Sequence, residues 1–216
     1  MRVLGIDPGL TRCGVGVVDG PVGAPVFVDG QCIRTDKDAP IEQRLLRLRE
    51  GIAALIALHR PDQVAVERVL FQVNVRTAMA TGQAAGIALL AAAEAGLAVV
   101  AYSPNEVKLA VAGHGAADKG AVARMVAAQL RLSEPPRPAD VADALAVALT
   151  HLGRSRQLGA AGASPASGAG GWEGALANRG LRVLGGTSPR DLSPRDSSPR
   201  SPSPRNPSSG TQGATQ

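Results

Sequence analysis

The sequence predicts an α/β domain, a mixed five-stranded sheet with helices on both faces, followed by a disordered C-terminal tail. Three observations carry that expectation. Short β-branched runs share the chain with longer segments of helical periodicity. The first three runs follow one another with no helix between them, whereas the later two are separated by helical segments. Composition then breaks near residue 154, where apolar periodicity gives way to Gly, Ala, Ser, Pro and Arg.

The run 2–7, Arg-Val-Leu-Gly-Ile-Asp, reads as a buried strand that carries Asp7 at its C-terminal end. The turn Pro8-Gly9-Leu10-Thr11-Arg12 leads to a second strand at 13–19, and a Gly/Pro-punctuated run at 26–33 completes an antiparallel meander. Ile41, Leu45, Leu48, Ile52 and Leu55 then recur at helical spacing, with Arg44, Arg47 and Arg49 off the stripe and Pro61 ending the segment. A fourth strand at 62–67 ends in Glu67, as the first ends in Asp7. The Ala-rich stretch 76–95 is interrupted by Gln83 and Glu94 and made of small residues, so it reads as a buried helix and not as a membrane span. A fifth strand at 97–102 precedes helices at 104–111, 118–131 and 138–152. Right-handed crossovers make the first and fourth strands parallel neighbours, with their terminal acids at one sheet edge, where open α/β sheets hold ligands. This order of elements resembles the ribonuclease H-like architecture.

Residues 1–154 are long enough to bury a full core, and residues 155–216 are expected to be disordered. From Ser188 the tail repeats Ser-Pro-Arg at 188–190, 193–195, 198–200 and 203–205. Its seven arginines against Glu173, Asp191 and Asp196 supply +4 of the chain's net +5. The basic balance therefore describes an appendage suited to following an acidic polymer, while the folded part is close to neutral. Trp172 to Leu176 and Leu181 to Leu184 are its apolar islands, each either a partner-binding segment or a chance cluster. Cys13 and Cys32 are expected to be free thiols of a cytoplasmic protein, since no signal peptide or long uncharged apolar stretch is visible.

Two further acids, Asp140 and Asp143, sit three residues apart and so share a helical face. Each acid has an ordinary explanation. Asp-Pro-Gly is favourable turn chemistry for Asp7, Arg68 can answer Glu67, and acids in a first helical turn complement the macrodipole. The dipole accounts for one of the helical pair better than for two, because Asp143 runs into the apolar stretch Ala144 to Leu149. Converging with the strand-end acids, all four make a hard-oxygen site for Mg²⁺ or Mn²⁺, whereas no Cys/His spacing resembles a zinc site. Lys108 and Lys119 flank the loop 112–116 and are placed to reach phosphates, and Arg76 begins the Ala-rich helix. His59 and His151 are assigned to helix C-termini and His114 to a loop.

Gly5-Ile6-Asp7-Pro8-Gly9, Val66-Glu67-Arg68-Val69, Val107-Lys108, Asp118-Lys119 and Ala139 to Ala146 together resemble, in that order and over residues 1–154, the RuvC family of Holliday junction resolvases. The resemblance implies a homodimeric endonuclease that cuts two like-polarity strands of a four-way DNA junction. It carries four metal-binding carboxylates onto Asp7, Glu67, Asp140 and Asp143 and DNA contacts onto Lys108 and Lys119. It also implies the branch-migration motor proteins RuvA and RuvB as partners. Where the family has Phe after Glu-Arg-Val, this chain has Leu70 and then Phe71, so an apolar wedge between bases falls to one of the two, unless Phe71 packs in the core.

Two Mg²⁺ ions roughly 4 Å apart are expected to activate water and stabilise the leaving oxygen. In this arrangement Asp7 bridges them, Glu67 and Asp143 hold one side each, and Asp140 completes a site or orients the water. The alternatives are a non-catalytic junction-binding protein, another ribonuclease H-like nuclease, or an actin-like sugar kinase or ATPase fragment. The last needs a second similar domain for which 155–216 offer no strand-forming material. The small residues of the Ala-rich helix, Ala78, Gly82, Ala85, Gly86 and Ala93, suit either core packing or a two-fold dimer contact.

Overall fold

Alternation of side chains along the strands decides how this domain is built. The computed structural model describes residues 1–21, 23–69 and 75–160, so Leu70, Phe71, the apolar islands and the Ser-Pro-Arg repeats lie outside the described residues. Strands β1 (Val3–Asp7), β2 (Arg12–Asp19), β3 (Val26–Arg34), β4 (Gln63–Glu67) and β5 (Val99–Tyr102) form one sheet in the order β3-β2-β1-β4-β5. β1 pairs antiparallel with β2 and β2 with β3, while β4 runs parallel to both β1 and β5. This is the mixed sheet expected from the element order.

On one face Leu4, Ile6, Val15, Val17, Val64 and Val66 pack against helices α1 (Ile41–His59) and α2 (Val75–Glu94). Leu48, Ile52, Leu55 and Ile56 form the buried stripe of α1, whereas Ile41, expected on that stripe, is 41% exposed at the first turn. On the other face lie α3 (Pro104–Ala112), α4 (Lys119–Leu130) and α5 (Ala139–Ala160). α5 is buried along Val141, Ala142 and Ala144 to Leu149 because it is packed between the sheet and the other two helices. A helix apolar nearly all round belongs at such a centre.

The sheet face beneath α5 is made of very small residues. A Cβ at Gly5 would overlap the Ala144 carbonyl oxygen, and one at Gly14 would overlap that of Asp140. One at Gly16 would sit 2.7 Å from Leu145 Cγ, and one at Gly30 would sit 2.6 Å from Val141 Cγ1. These absences let the helix backbone rest on the strand backbones, which fixes the height of α5 above β1 and β2.

α5 continues past the expected end at residue 152 to Ala160. His151 is therefore an interior residue, not a C-terminal one. It is buried, with Nδ1 2.8 Å from the Tyr102 hydroxyl and Nε2 hydrogen-bonded to Gln63, and burial holds its pKa below the ordinary histidine value. His59 does end α1, where it meets Asp29 at 2.8 Å. Cys13 packs with the α1 and α2 side and Cys32 against the α5 side, so the sheet separates the two free thiols. No helix among the described residues is long and apolar enough to cross a membrane.

Gly5→Ala is expected to lower the unfolding free energy by about 1–3 kcal/mol, because helix backbone is what must move aside. Gly153→Ala, in the same helix with nothing within 4 Å of the added Cβ, is expected to raise it by about 0.5–1 kcal/mol. Urea unfolding of the two variants beside the wild type reads both, and a Gly5→Ala protein as stable as the parent contradicts the packing argument.

Candidate active site

Because side chains alternate, Val3, Gly5 and Asp7 on β1 and Ala65 and Glu67 on β4 all face α5. The register Ile6↔Val66 then makes the next residues of the two strands, Asp7 and Glu67, neighbours at the C-terminal sheet edge. α5 enters over the same edge and brings Asp143. These three acids line one cleft of about 270 Å³ together with Lys108, Lys119, Pro104, Val107 and Val122.

The lysines arrive through helix capping. Ser103 and Glu106 form a reciprocal capping box that starts α3 and sets Lys108 on its second turn. Asp118 caps α4 by accepting from the Ala121 N–H, which puts Lys119 at the first helical position. A cation there opposes the macrodipole. Its compensation is the cleft: Lys119 Nζ donates to Asp143 Oδ2 at 3.3 Å and also sits within electrostatic reach of Asp7 and Glu67.

Crowding of the acids shows in their protonation. Burial first, then the charges of Glu67 and Asp143, push Asp7 up to about 8, with Lys119 pulling the other way. Burial also raises Glu67, while its hydrogen bond with Asp7 and the charges of Lys119 and Lys108 act to lower it. The Asp7–Glu67 pair therefore holds a shared proton when no cation answers it.

The sequence gathers four acids at this edge, and the structure draws three of them into the cleft. Asp140 does rise from the first turn of α5, but it turns the other way. Arg12, the first residue of β2, donates to Asp140 Oδ2 through Nε at 2.9 Å and Nη2 at 2.5 Å. Cys32 Sγ lies 3.9 Å from the same oxygen. Among the described residues no three His, Cys, Asp or Glu side chains stand ready to hold a metal ion in these rotamers. Oxygen-only donors, a shared proton on the two buried acids and flanking lysines are nonetheless the composition of a hard-cation site. Arg68, expected as an answer to Glu67, instead donates to the Ala101 carbonyl at 3.2 Å. Arg76 is exposed on the first turn of α2 and does not line the cleft. Leu70 and Phe71 lie outside the described residues. Arg12 is the residue that sequence reasoning passed over, and its position as the last residue of the turn after Asp7 was the available signal.

A family profile described as crossover junction endodeoxyribonuclease RuvC matches residues 3–151. The chain belongs to the RuvC family. It is 59% identical over 155 residues to the crossover junction endodeoxyribonuclease RuvC of Salinispora arenicola, covering 71% of this chain and 89% of that one. The RuvC of Thermobifida fusca is 56% identical over 155 residues, covering 71% and 85%. Among solved structures, Thermus thermophilus RuvC in complex with Holliday junction substrate aligns with a TM-score of 0.70 at 42% identity, covering 73% of this chain and 96% of that one. The yeast mitochondrial Holliday junction resolvase Ydc2 shares the fold, with a TM-score of 0.53 at 14% identity over 73% and 82% of the two chains. The fold is ribonuclease H-like and the chain is an enzyme of the nuclease class.

Asp7 binds its proton more tightly in the folded chain than the ordinary value of 3.8 allows, so ionising it opposes folding. The handicap is absent below pH 3.8, grows as pH rises and is complete above about 8. Metal-free Asp7→Asn protein is therefore expected to melt at a higher temperature than wild type at pH 8 and at the same temperature near pH 4. Equal melting at both pH values contradicts the crowding.

Proposed function

We propose that this chain resolves four-way DNA junctions by paired symmetric cuts, hydrolysing one phosphodiester per subunit with divalent metal held by Asp7, Glu67 and Asp143. The observation that carries the proposal is the convergence of those three acids with Lys108 and Lys119 on one open cleft, in a member of a junction-resolving family. Bound Mg²⁺, or Mn²⁺ in its place, supplies an activated water and stabilises the leaving oxygen, with two ions per subunit as the arrangement that serves both ends of the reaction.

The chain's own residues do the rest. Asp7 and Glu67 give up their shared proton as cations enter, so binding is favoured by rising pH. Lys119, held by Asp143, and Lys108, whose ammonium makes no hydrogen bond among the described residues, supply positive charge to the phosphate on the α3 and α4 side. The cleft opens at the sheet edge, as a polymeric substrate requires. Asp140 is assigned to the same site, which it joins only after leaving Arg12. Arg76, Leu70 and Phe71 are assigned to DNA contact on the family resemblance alone.

Two symmetric cuts call for two equivalent sites and hence a two-fold dimer. The stripe Val75, Met79, Gly82, Gly86 and Leu90 supports α2 as its contact. Val75 is 69% and Met79 62% exposed, and no atom lies within 4 Å of a Cβ built at either glycine. By the same reading the protein works in the cytoplasm with the motor proteins RuvA and RuvB. Residues 1–154 act as the nuclease domain, and 155–216 serve as an electrostatic tether to DNA.

Asp7→Asn protein is expected to bind a synthetic four-way junction as wild type does and to lose at least about 10³-fold in cleavage rate with Mg²⁺. Wild-type cleavage by a folded, junction-binding Asp7→Asn protein overturns the assignment, as does wild-type cleavage of an RNA–DNA hybrid in preference to the junction. Met79→Glu is expected to shift the protein from dimer to monomer in sedimentation velocity. A variant that stays dimeric places the interface elsewhere.

A further inference from the structure

Arg12 and Arg34 are direct partners across the β2–β3 ladder, which brings their Cβ atoms to about 5 Å of each other. Both sit at the sheet edge that carries Asp7, and both are exposed. Strand alternation turns them toward α5, as it does Gly14, which abuts Asp140, and Cys32, which touches it. Like charges in such a pair repel. One carboxylate, Asp140, answers one of the two, and the Arg34 guanidinium has no hydrogen bond or ion pair among the described residues. The neighbouring Arg44 is tied to the hydroxyls of Thr11 and Thr35.

The Arg12–Asp140 contact is also incomplete. Nε and Nη2 both converge on Oδ2, so the two-oxygen fork that a guanidinium makes best is not formed. The arginine is 45% and the aspartate 24% exposed, and an ion pair so open to water is easily exchanged. A phosphodiester offers two guanidiniums its two non-bridging oxygens, which share one negative charge.

We propose that Arg12 and Arg34 clamp a phosphate of the DNA substrate on the β2–β3 side of the cleft, and that Arg12 exchanges Asp140 for that phosphate, leaving the carboxylate free to turn toward Asp143. Cations then flank the acids on both sides, the lysines from α3 and α4 and the arginines from β2 and β3. Asp140 becomes available when substrate is present, so Arg12 is a positioning residue as well as a contact. The proposal rests on the reading of the chain as a junction nuclease.

The test measures four-way junction affinity in EDTA across a salt series, so that cleavage and metal play no part. Arg34→Gln is expected to weaken binding about tenfold and to make the slope of log K against log salt shallower by about 0.9, the signature of one lost phosphate contact. Asp140→Asn is expected to tighten binding several-fold. Arg12→Gln is expected to weaken it more in the Asp140→Asn background than in wild type, because only the wild-type arginine must first leave a carboxylate. Thermal melts accompany each variant. Should Arg12→Gln fail to fold, Arg12→Lys, which keeps charge without the fork, shows the same dependence on background. An unchanged affinity and slope in Arg34→Gln overturn the clamp, and an Arg12 effect equal in both backgrounds overturns the exchange. Failure of wild-type protein to bind the junction overturns the functional reading instead.

Discussion

The contact between α5 and the glycine-bearing face of the sheet is the constraint on which the site depends. A helix packed on ordinary strand side chains stands about 10 Å off the sheet. Here Gly5, Gly14, Gly16 and Gly30 remove the side chains that would hold it away, and helix carbonyl oxygens press toward strand backbone. The acid of α5 thereby drops to the level of the acids that alternation throws up from β1 and β4. A change of one methyl group at Gly5 acts on the acid cleft through geometry alone, although the residue does not line it.

The cleft that results works against folding. Three carboxylates with burial around two of them raise the proton affinity of Asp7 and Glu67, and Lys119 occupies a helix start that disfavours its charge. Neither feature helps a protein that has only to fold. Both make sense where cations and a phosphate are to be received, because the ligand then settles charges that the chain leaves partly unsettled.

Much of this was legible because it depends on period and order. β-branched runs ending in Asp7 and Glu67 specify strands, and crossover handedness makes those strands neighbours, so period and order alone bring the two acids together. Asp140 shows the limit. Spacing of three puts Asp140 and Asp143 on one face of α5 but does not choose their rotamers, and the decision fell to Arg12, a partner 128 residues away in sequence. The end of α5 was misread for a local reason. Gly153 and the polar residues after it resemble a stop, yet the helix continues, and His151 becomes an interior hydrogen-bonding residue between Tyr102 and Gln63.

The cleft also bears on how the substrate is recognised. The chain has four aromatic residues, and none of those among the described residues lines the acid cleft. Tyr102 is buried against His151. Phe27 lies seven residues back along β3 from Arg34, about 23 Å of extended strand away. Stacking on bases therefore has no platform beside the acids in the described part of the molecule. What surrounds them is charge: Lys108 and Lys119 on one side, Arg12 and Arg34 on the other. Such a surface suits a phosphate backbone, and backbone contacts fix the register and path of DNA without reporting its sequence. Under the proposed dimeric reading, selection of a branched substrate becomes a matter of where phosphates lie in space, which two equivalent sites at a fixed separation can measure and one site cannot.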